Sequence, residues 1–250
     1  MNQENWFKNW FNSPEYHALY SNRDDGEANE FIKNIINQIQ PKKHCKMLDV
    51  ACGKGRHSRA LAEFGYDVTG IDLAEQSIQE AKQFETDNLQ FFTHDMRLPF
   101  WINYFDVAFN LFTSFGYFKT QREHNNAIRT IAQSLSPNGL FVIDYLNVHY
   151  QEKHLQKFLE KKVSDTTFQI TKWHTETHFI KQIQIVHPKN GIPRHLSTER
   201  VAKFSLGDFV EMLGFQNLQI QDVFGNYNLS KYDLNESPRM IIIAKKMSFK

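Results

Sequence analysis

Two glycines and three aspartates carry most of the chemistry legible in this sequence. The short run Met47-Leu-Asp-Val50 leads into Ala51-Cys-Gly-Lys-Gly55, a Gly-x-Gly turn that opens a helical segment beginning Arg56-His57-Ser58. Glycine lacks a Cβ, so the chain can turn sharply there and bring its backbone against a ligand, while the helix start offers unpaired N–H groups. Gly-x-Gly alone meets only two positions of a nucleotide fingerprint, and such turns also join strands to helices for structural reasons. A second strand-like run, Val68-Thr-Gly-Ile-Asp72, places a carboxylate close to the ~20-residue spacing at which an acid accepts two ribose hydroxyls. An Asp at a strand end also serves as a helix N-cap.

The turn discriminates between cofactors. A dinucleotide cradle wants a third glycine three residues after Gly55, where the helix packs on the strand, and Ser58 stands there instead. Asp49 sits just ahead of the turn, where it would repel a pyrophosphate but suits a cofactor with an ammonium group and no phosphate. S-adenosylmethionine is such a cofactor.

Leu48-Asp-Val-Ala-Cys-Gly-Lys-Gly55 resembles the first motif of the class I S-adenosylmethionine-dependent methyltransferases, of the small-molecule type similar to glycine N-methyltransferase. The resemblance extends over roughly residues 45–150. Ile71-Asp72 resembles the ribose-binding acid, Thr93-His-Asp95-Met96 the adenine-binding segment, and Phe105 to Asn110 the fourth strand; Leu135 to Asp144 resembles the turn and fifth strand. Ala51 stands where many members have a first glycine. The resemblance implies that Ala51, Gly53 and Gly55 line the methionine part of the cofactor and that Asp49 reaches its ammonium. It also implies that Asp72 with Leu73 holds the ribose, Asp95 the adenine amino group with Met96 on the ring, and Asn110 and Leu111 the sulfonium flank. Asp95 is equally a loop acid that caps a turn. Before the first motif, Tyr20 and Arg23 match a Tyr and an Arg that contact the methionine end in such enzymes, as part of an N-terminal lid. The alternative is an amphipathic segment whose Trp6, Trp10, Phe11 and Tyr16 simply cover the surface beneath.

These residues need a scaffold. Helical periodicity runs from Glu27 to Gln40, with Ile32, Ile35, Ile36 and Ile39 on one face. Strands at 46–50, 67–71, 89–93, 105–110 and 139–144 then alternate with helices at 56–65, 74–84 and 121–135. Such alternation predicts a parallel sheet covered on both faces, with ligands outside the carboxyl ends of its strands. From about Phe168 to Val201 the pattern becomes near-alternating and rich in Thr, Ile and Val, with Asn190-Gly191 as a hairpin turn. This predicts three or four antiparallel strands, preceded by a short helix over 151–162. A helix over Ser205–Leu213 and strands over 218–223 and 239–245 complete the chain. The expected fold is α/β: a Rossmann-like methyltransferase sheet, parallel but for its last strand, with an antiparallel β segment inserted after the fifth strand. Residues 1–40 form the lid and first helix, 41–147 with 204–250 the cofactor domain, and 148–203 the inserted subdomain.

At 250 residues the chain is long enough to bury a substantial core, and 29 basic against 28 acidic residues mark no polyanion-binding surface. Nucleic acid and membrane are therefore not expected partners; a small-molecule methyl acceptor is, with homodimer formation left open. The two cysteines, Cys45 and Cys52, have neither redox-motif nor zinc spacing and read as reduced thiols of a cytoplasmic protein. No apolar run reaches the ~20 residues of a membrane span, and the N-terminal residues do not read as a signal peptide. His174 and His178 share a strand face without forming a metal motif, so no metal is expected.

Methyl transfer by in-line displacement needs positioning above all, which supplies roughly 7–11 kcal/mol in favourable cases. An amine acceptor requires no base, whereas an oxygen acceptor would want one, so no catalytic residue is assigned. Substrate-side candidates are Phe112 and Tyr117 after the fourth strand and Tyr145 and Asn147 after the fifth. The inserted strands and the lid are expected to shape the acceptor pocket. RNA or protein methylation, or a cofactor-binding module without turnover, are the alternatives.

Overall fold

The computed structural model describes residues 6–20, 25–186 and 191–248. Two short helices come first, α1 (Trp6–Phe11) and α2 (Pro14–Leu19), the second capped by Ser13, whose hydroxyl accepts the Tyr16 N–H. Helix α3 (Asp25–Ile39) buries Phe31, Ile32 and Ile35 on the face foreseen from its periodicity. The alternating core follows: β1 (Lys46–Val50), α4 (Arg56–Glu63), β2 (Asp67–Asp72), α5 (Glu75–Ala81), β3 (Leu89–Thr93), β4 (Phe105–Asn110), α6 (Gln121–Ser134) and β5 (Leu135–Leu146). Helix α5 ends earlier than expected because Lys82–Phe84 tightens into a 3₁₀ turn. Thr120 and Glu123 form a reciprocal capping box at the start of α6.

Strand β10 (Leu218–Phe224) and strand β11 (Arg239–Lys246) close a seven-stranded sheet of order β10-β11-β5-β4-β1-β2-β3. β1 pairs parallel with both β2 and β4, so the strand order reverses at β1, and β11 alone runs against its neighbours. Pleat alternation sends Leu48 and Val50 into a core with α6 and α8 (Leu206–Gly214), and Met47 into a second core with α3 and α4. Asp49 lies on the Met47 face, beneath α4.

Between β5 and α8 stand α7 (Val148–Lys153) and a separate antiparallel sheet, β6 (Phe158–Val163), β7 (Thr166–His174), β8 (His178–Val186) and β9 (Pro193–Ala202). The helix expected over 151–162 is corrected here: α7 stops at Lys153, and Phe158–Val163 is an edge strand. Its side chains alternate between exposed and half-buried along the run, a period of two that the flanking helical pattern obscured. Asn190 lies outside the described residues, but Gly191 has φ +64° and Val186 pairs with Pro193, so β8 and β9 form the foreseen hairpin. Trp10 and Leu19 of the N-terminal helices pack with Phe168, Ile170 and Ile183 of this sheet in a third core.

Candidate active site

The turn after β1 is built from left-handed residues: Ala51 (φ +61°), Gly53 (+56°) and Gly55 (+79°). Its amides are spent on neighbouring strand ends. The Cys52 N–H donates to the Ile71 carbonyl at 3.0 Å and the Gly53 N–H to Asp72 Oδ2 at 2.8 Å. Asp72 Oδ1 accepts the Ala74 N–H at 2.7 Å, so this carboxylate ties the turns after β1 and β2 together. Burial raises its pKa against those amide hydrogen bonds. Asp49, 1 % exposed, accepts the Ser58 hydroxyl at 2.6 Å, and burial pushes its pKa up to about 6.

These groups face a cavity of about 480 Å³ at the carboxyl ends of β1 to β4, within the usual range of ligand sites. Of the residues foreseen from sequence, Asp49, Ala51, Gly53, Asp72, Leu73, Asp95, Met96, Leu111, Phe112, Tyr117 and Tyr20 line it. Arg23 lies outside the described residues. Asp95 is held by Arg97, which donates from Nε and Nη2 and also bonds Glu123 at 2.6 Å. Burial works to raise the Asp95 pKa, but the hydrogen bonds and charge of Arg97 outweigh it and leave the carboxyl below its usual range.

Four expected residues are absent from the cavity wall. A Cβ on Gly55 would meet the Phe91 ring at 2.4 Å, so this glycine serves the packing of α4 on β3. Asn110 is fully buried and donates from Nδ2 to the Val50 carbonyl at 3.1 Å, bracing β4 against β1. The Tyr145 hydroxyl donates to the Ala202 carbonyl, inside the core and away from the site. Asn147 caps α7 and donates to the carbonyls of Leu234 and Ser237. Strand β5 runs on to Leu146, past the end expected at residue 144, so Tyr145 lies within it, paired with Met240 of β11, and only Asn147 follows it, tied to the β10–β11 connection.

The sequence matches the family described as "Methyltransferase domain" over residues 41–190. The chain belongs to the class I S-adenosylmethionine-dependent methyltransferases. It is 26% identical over 211 residues to a putative methyltransferase, YqeM, of Bacillus subtilis, covering 80% of this chain and 84% of that protein. It is 30% identical over 149 residues to glycine N-methyltransferase of Rattus norvegicus, covering 53% of this chain and 50% of that protein. The X-ray structure of the sugar N-methyltransferase KedS8 from Streptoalloteichus superposes with a TM-score of 0.73 at 20% identity, over 93% of each chain.

In the methyltransferase, S-adenosylmethionine is the cofactor, and the residues present fit it. The left-handed turn leaves room for close approach, and the buried Asp49 and half-buried Asp72 carboxylates face the cavity. His17 Nε2, on α2 at the cavity wall, is buried with no hydrogen-bond partner among the described residues, leaving a polar atom for a ligand to satisfy.

Sequence reasoning missed three features of the methyltransferase site. Ser58 read only as a missing glycine, yet its hydroxyl holds Asp49 in place. The N-terminal segment was expected at the pocket, but Phe7 and His17 were not singled out, and Phe11 and Tyr16, weighed as mere surface cover, line the cavity with them, where Phe11 meets Tyr117 at 5.3 Å and Phe7 meets Phe118 at 5.9 Å. The density of rings over residues 6–20 was the available signal. The inserted sheet, expected to shape the pocket, places none of its described residues on the wall. It acts through the lid: buried Glu199 accepts from Trp10 Nε1 at 2.8 Å and the Tyr20 hydroxyl at 3.1 Å, Lys181 contacts both Glu199 and Tyr20, and Lys161 donates to the Leu19 carbonyl at 2.6 Å.

Proposed function

We propose that the methyltransferase methylates the nitrogen of a small amine. The observation that carries this reading is the set of aromatic rings lining the same cavity as Asp49 and Asp72, from Phe7, Phe11, Tyr16 and Tyr20 of the lid with Tyr117 and Phe118 after β4. Aromatic faces attract ammonium groups by roughly 0.5–2 kcal/mol each, so the wall favours an amine before and after methylation. The likeness to glycine N-methyltransferase supports the same acceptor atom.

When bound, the cofactor supplies an electrophilic methyl group. The chain's part is to hold and orient. Asp49 meets the ammonium, Asp72 accepts ribose hydroxyls on its remaining lone pairs, and Met96 and Leu73 pack on the nucleoside. The lid of residues 1–40 excludes water, residues 41–147 with 204–250 hold the cofactor, and residues 148–203 brace the lid. A neutral amine attacks without a base, so positioning alone sustains turnover. The near balance of 29 basic and 28 acidic residues supports a small acceptor over a polyanion. Two buried free thiols, Cys45 and Cys52, support a reducing, cytoplasmic setting.

The test is a turnover screen over amines, phenols and carboxylates, run beside calorimetry with S-adenosylmethionine and its demethylated product. Turnover confined to amines is expected. Methylation of phenols or carboxylates in preference to amines would overturn the reading.

A further inference from the structure

The residues that leave β4 for the cavity wall adopt a conformation that side-chain-bearing residues avoid. Phe112 and Thr113, one aromatic and one β-branched, both have φ +57°. Two such residues in succession persist only where the surroundings over-determine them, and they concentrate at functional sites.

The surroundings here are a buried polar group that the cofactor site does not use. Asp144 on β5 is fully buried; its Oδ2 accepts the Phe112 N–H at 2.8 Å, and its backbone carbonyl accepts the Thr113 N–H at 3.0 Å. Arg239 on β11 donates from Nε to Asp144 Oδ1 and from Nη2 to the Thr113 hydroxyl, each at 2.8 Å. Asp144 lies opposite Ile241, which places Arg239 on the diagonal of the same sheet face. Tyr227, between β10 and β11, points its hydroxyl at Asp144 Oδ2 (3.4 Å) and stacks its ring on Phe112 at 5.2 Å and 23°. The Arg56 guanidinium sits 4.6 Å from the Phe112 centroid and the His57 ring 5.0 Å away. Thus Asp144, Arg239 and Tyr227 hold this kink from outside the cavity, while Arg56 and His57 meet the Phe112 ring from the cavity wall itself.

A buried ion pair is weak evidence for stability, because desolvation offsets its attraction. This one binds the Phe112 amide and the Thr113 hydroxyl at the point where the chain is strained, beside the Asp144 main-chain carbonyl that takes the Thr113 amide, which is a positioning task. We propose that Asp144 and Arg239 are positioning residues for methyl transfer: they hold Leu111 to Ser114 in the left-handed kink that sets Phe112 against the acceptor. Neither lines the cavity, so they act on the reaction through Phe112 and not by contact with a reactant. The proposal rests on the amine reading of the same cavity.

The test uses the full chain carrying Asp144→Asn, with Arg239→Lys as the milder change should the first fail to fold. With the best amine of the screen, each variant is expected to lose kcat/KM, on the order of 100-fold for a wall displaced by about 1 Å. S-adenosylhomocysteine affinity, read by calorimetry on the folded protein, stays where it was. A fall in cofactor affinity parallel to the fall in turnover would mark a merely structural pair and overturn the proposal. Thr113→Gly, which accepts a positive φ without strain, should restore part of the turnover of Asp144→Asn. The crystal structure of Asp144→Asn with S-adenosylhomocysteine supplies a readout independent of any acceptor: Phe112 and Thr113 are expected to leave the left-handed region. Their staying there with unchanged turnover refutes the idea. Failure of the unmodified protein to methylate any amine would refute the acceptor reading instead, leaving the crystallographic arm to judge the kink.

Discussion

In the proposed cofactor contact, Asp49 would trade stability for binding. Burial raises its pKa to about 6, whereas an unfolded chain would ionise it near the ordinary carboxylate value. The raised value means that the protonated carboxyl favours the fold; that contribution is complete below the unfolded pKa and is lost as pH rises through about 6. Above pH 6 the buried charge costs up to about 3 kcal/mol, the span between the two values. An ammonium placed against the carboxylate offsets that cost. Asp49→Asn should therefore raise the melting temperature at pH 7.5 while weakening S-adenosylmethionine binding. In the unmodified protein, affinity measured by calorimetry should fall by up to about tenfold per pH unit below pH 6, and this slope should vanish in Asp49→Asn. A slope that survives the substitution would assign the ammonium contact elsewhere. Asp49 and Asp72 were legible because a turn and a strand end demand specific residue types within a few positions. Tyr145 and Asn147 were misread because a strand end looks alike in sequence whether it opens on a cavity or is capped by a distant loop.

At the scale of elements, the inserted sheet and the N-terminal helices work as a pair. Glu199, 8 % exposed, receives Trp10 and Tyr20 from the lid and Lys181 from its own sheet. Removing the carboxylate leaves donors buried without acceptors, a cost of about 1–3 kcal/mol that falls on lid docking. Glu199→Ala should speed proteolytic cleavage within residues 6–20 and weaken S-adenosylhomocysteine binding, while Glu199→Gln, which keeps an acceptor for Trp10, should do less. Cleavage at the rate of the unmodified chain in Glu199→Ala would refute the coupling. The alternating strands and helices of the main sheet were foreseen in order and type, since period and capping residues are local, but β5 runs from Leu135 to Leu146 where 139–144 was expected. Strand β6 was not, because Glu160-Lys161-Lys162 suits a helix in isolation and becomes a strand only through its pairing with β7.

For the molecule as a whole, the cavity lies where the strand order reverses at β1, and the lid covers it with aromatic rings. A ligand that binds only the folded state stabilises it by about 2.7 kcal/mol at a hundredfold excess over Kd. For a chain of this size, S-adenosylhomocysteine at that excess should raise the melting temperature by roughly 5–10 °C. A nicotinamide dinucleotide should leave it unmoved, and an equal shift with the dinucleotide would contradict the reading of Ser58 and Asp49.

The sequence by itself determined the cofactor class, the order of the main elements and the turn that lines the cavity, because these depend on backbone requirements spanning a few residues. Tertiary structure alone decided which side chains share a wall. Trp10 meets Glu199 across 189 positions and Arg239 meets Asp144 across 95. Such contacts follow from sheet register and from the packing of whole faces, which no local pattern encodes. The cavity's aromatic lining therefore comes from the N-terminal helices and the strained loop after β4, and the inserted strands contact those helices and not the cavity.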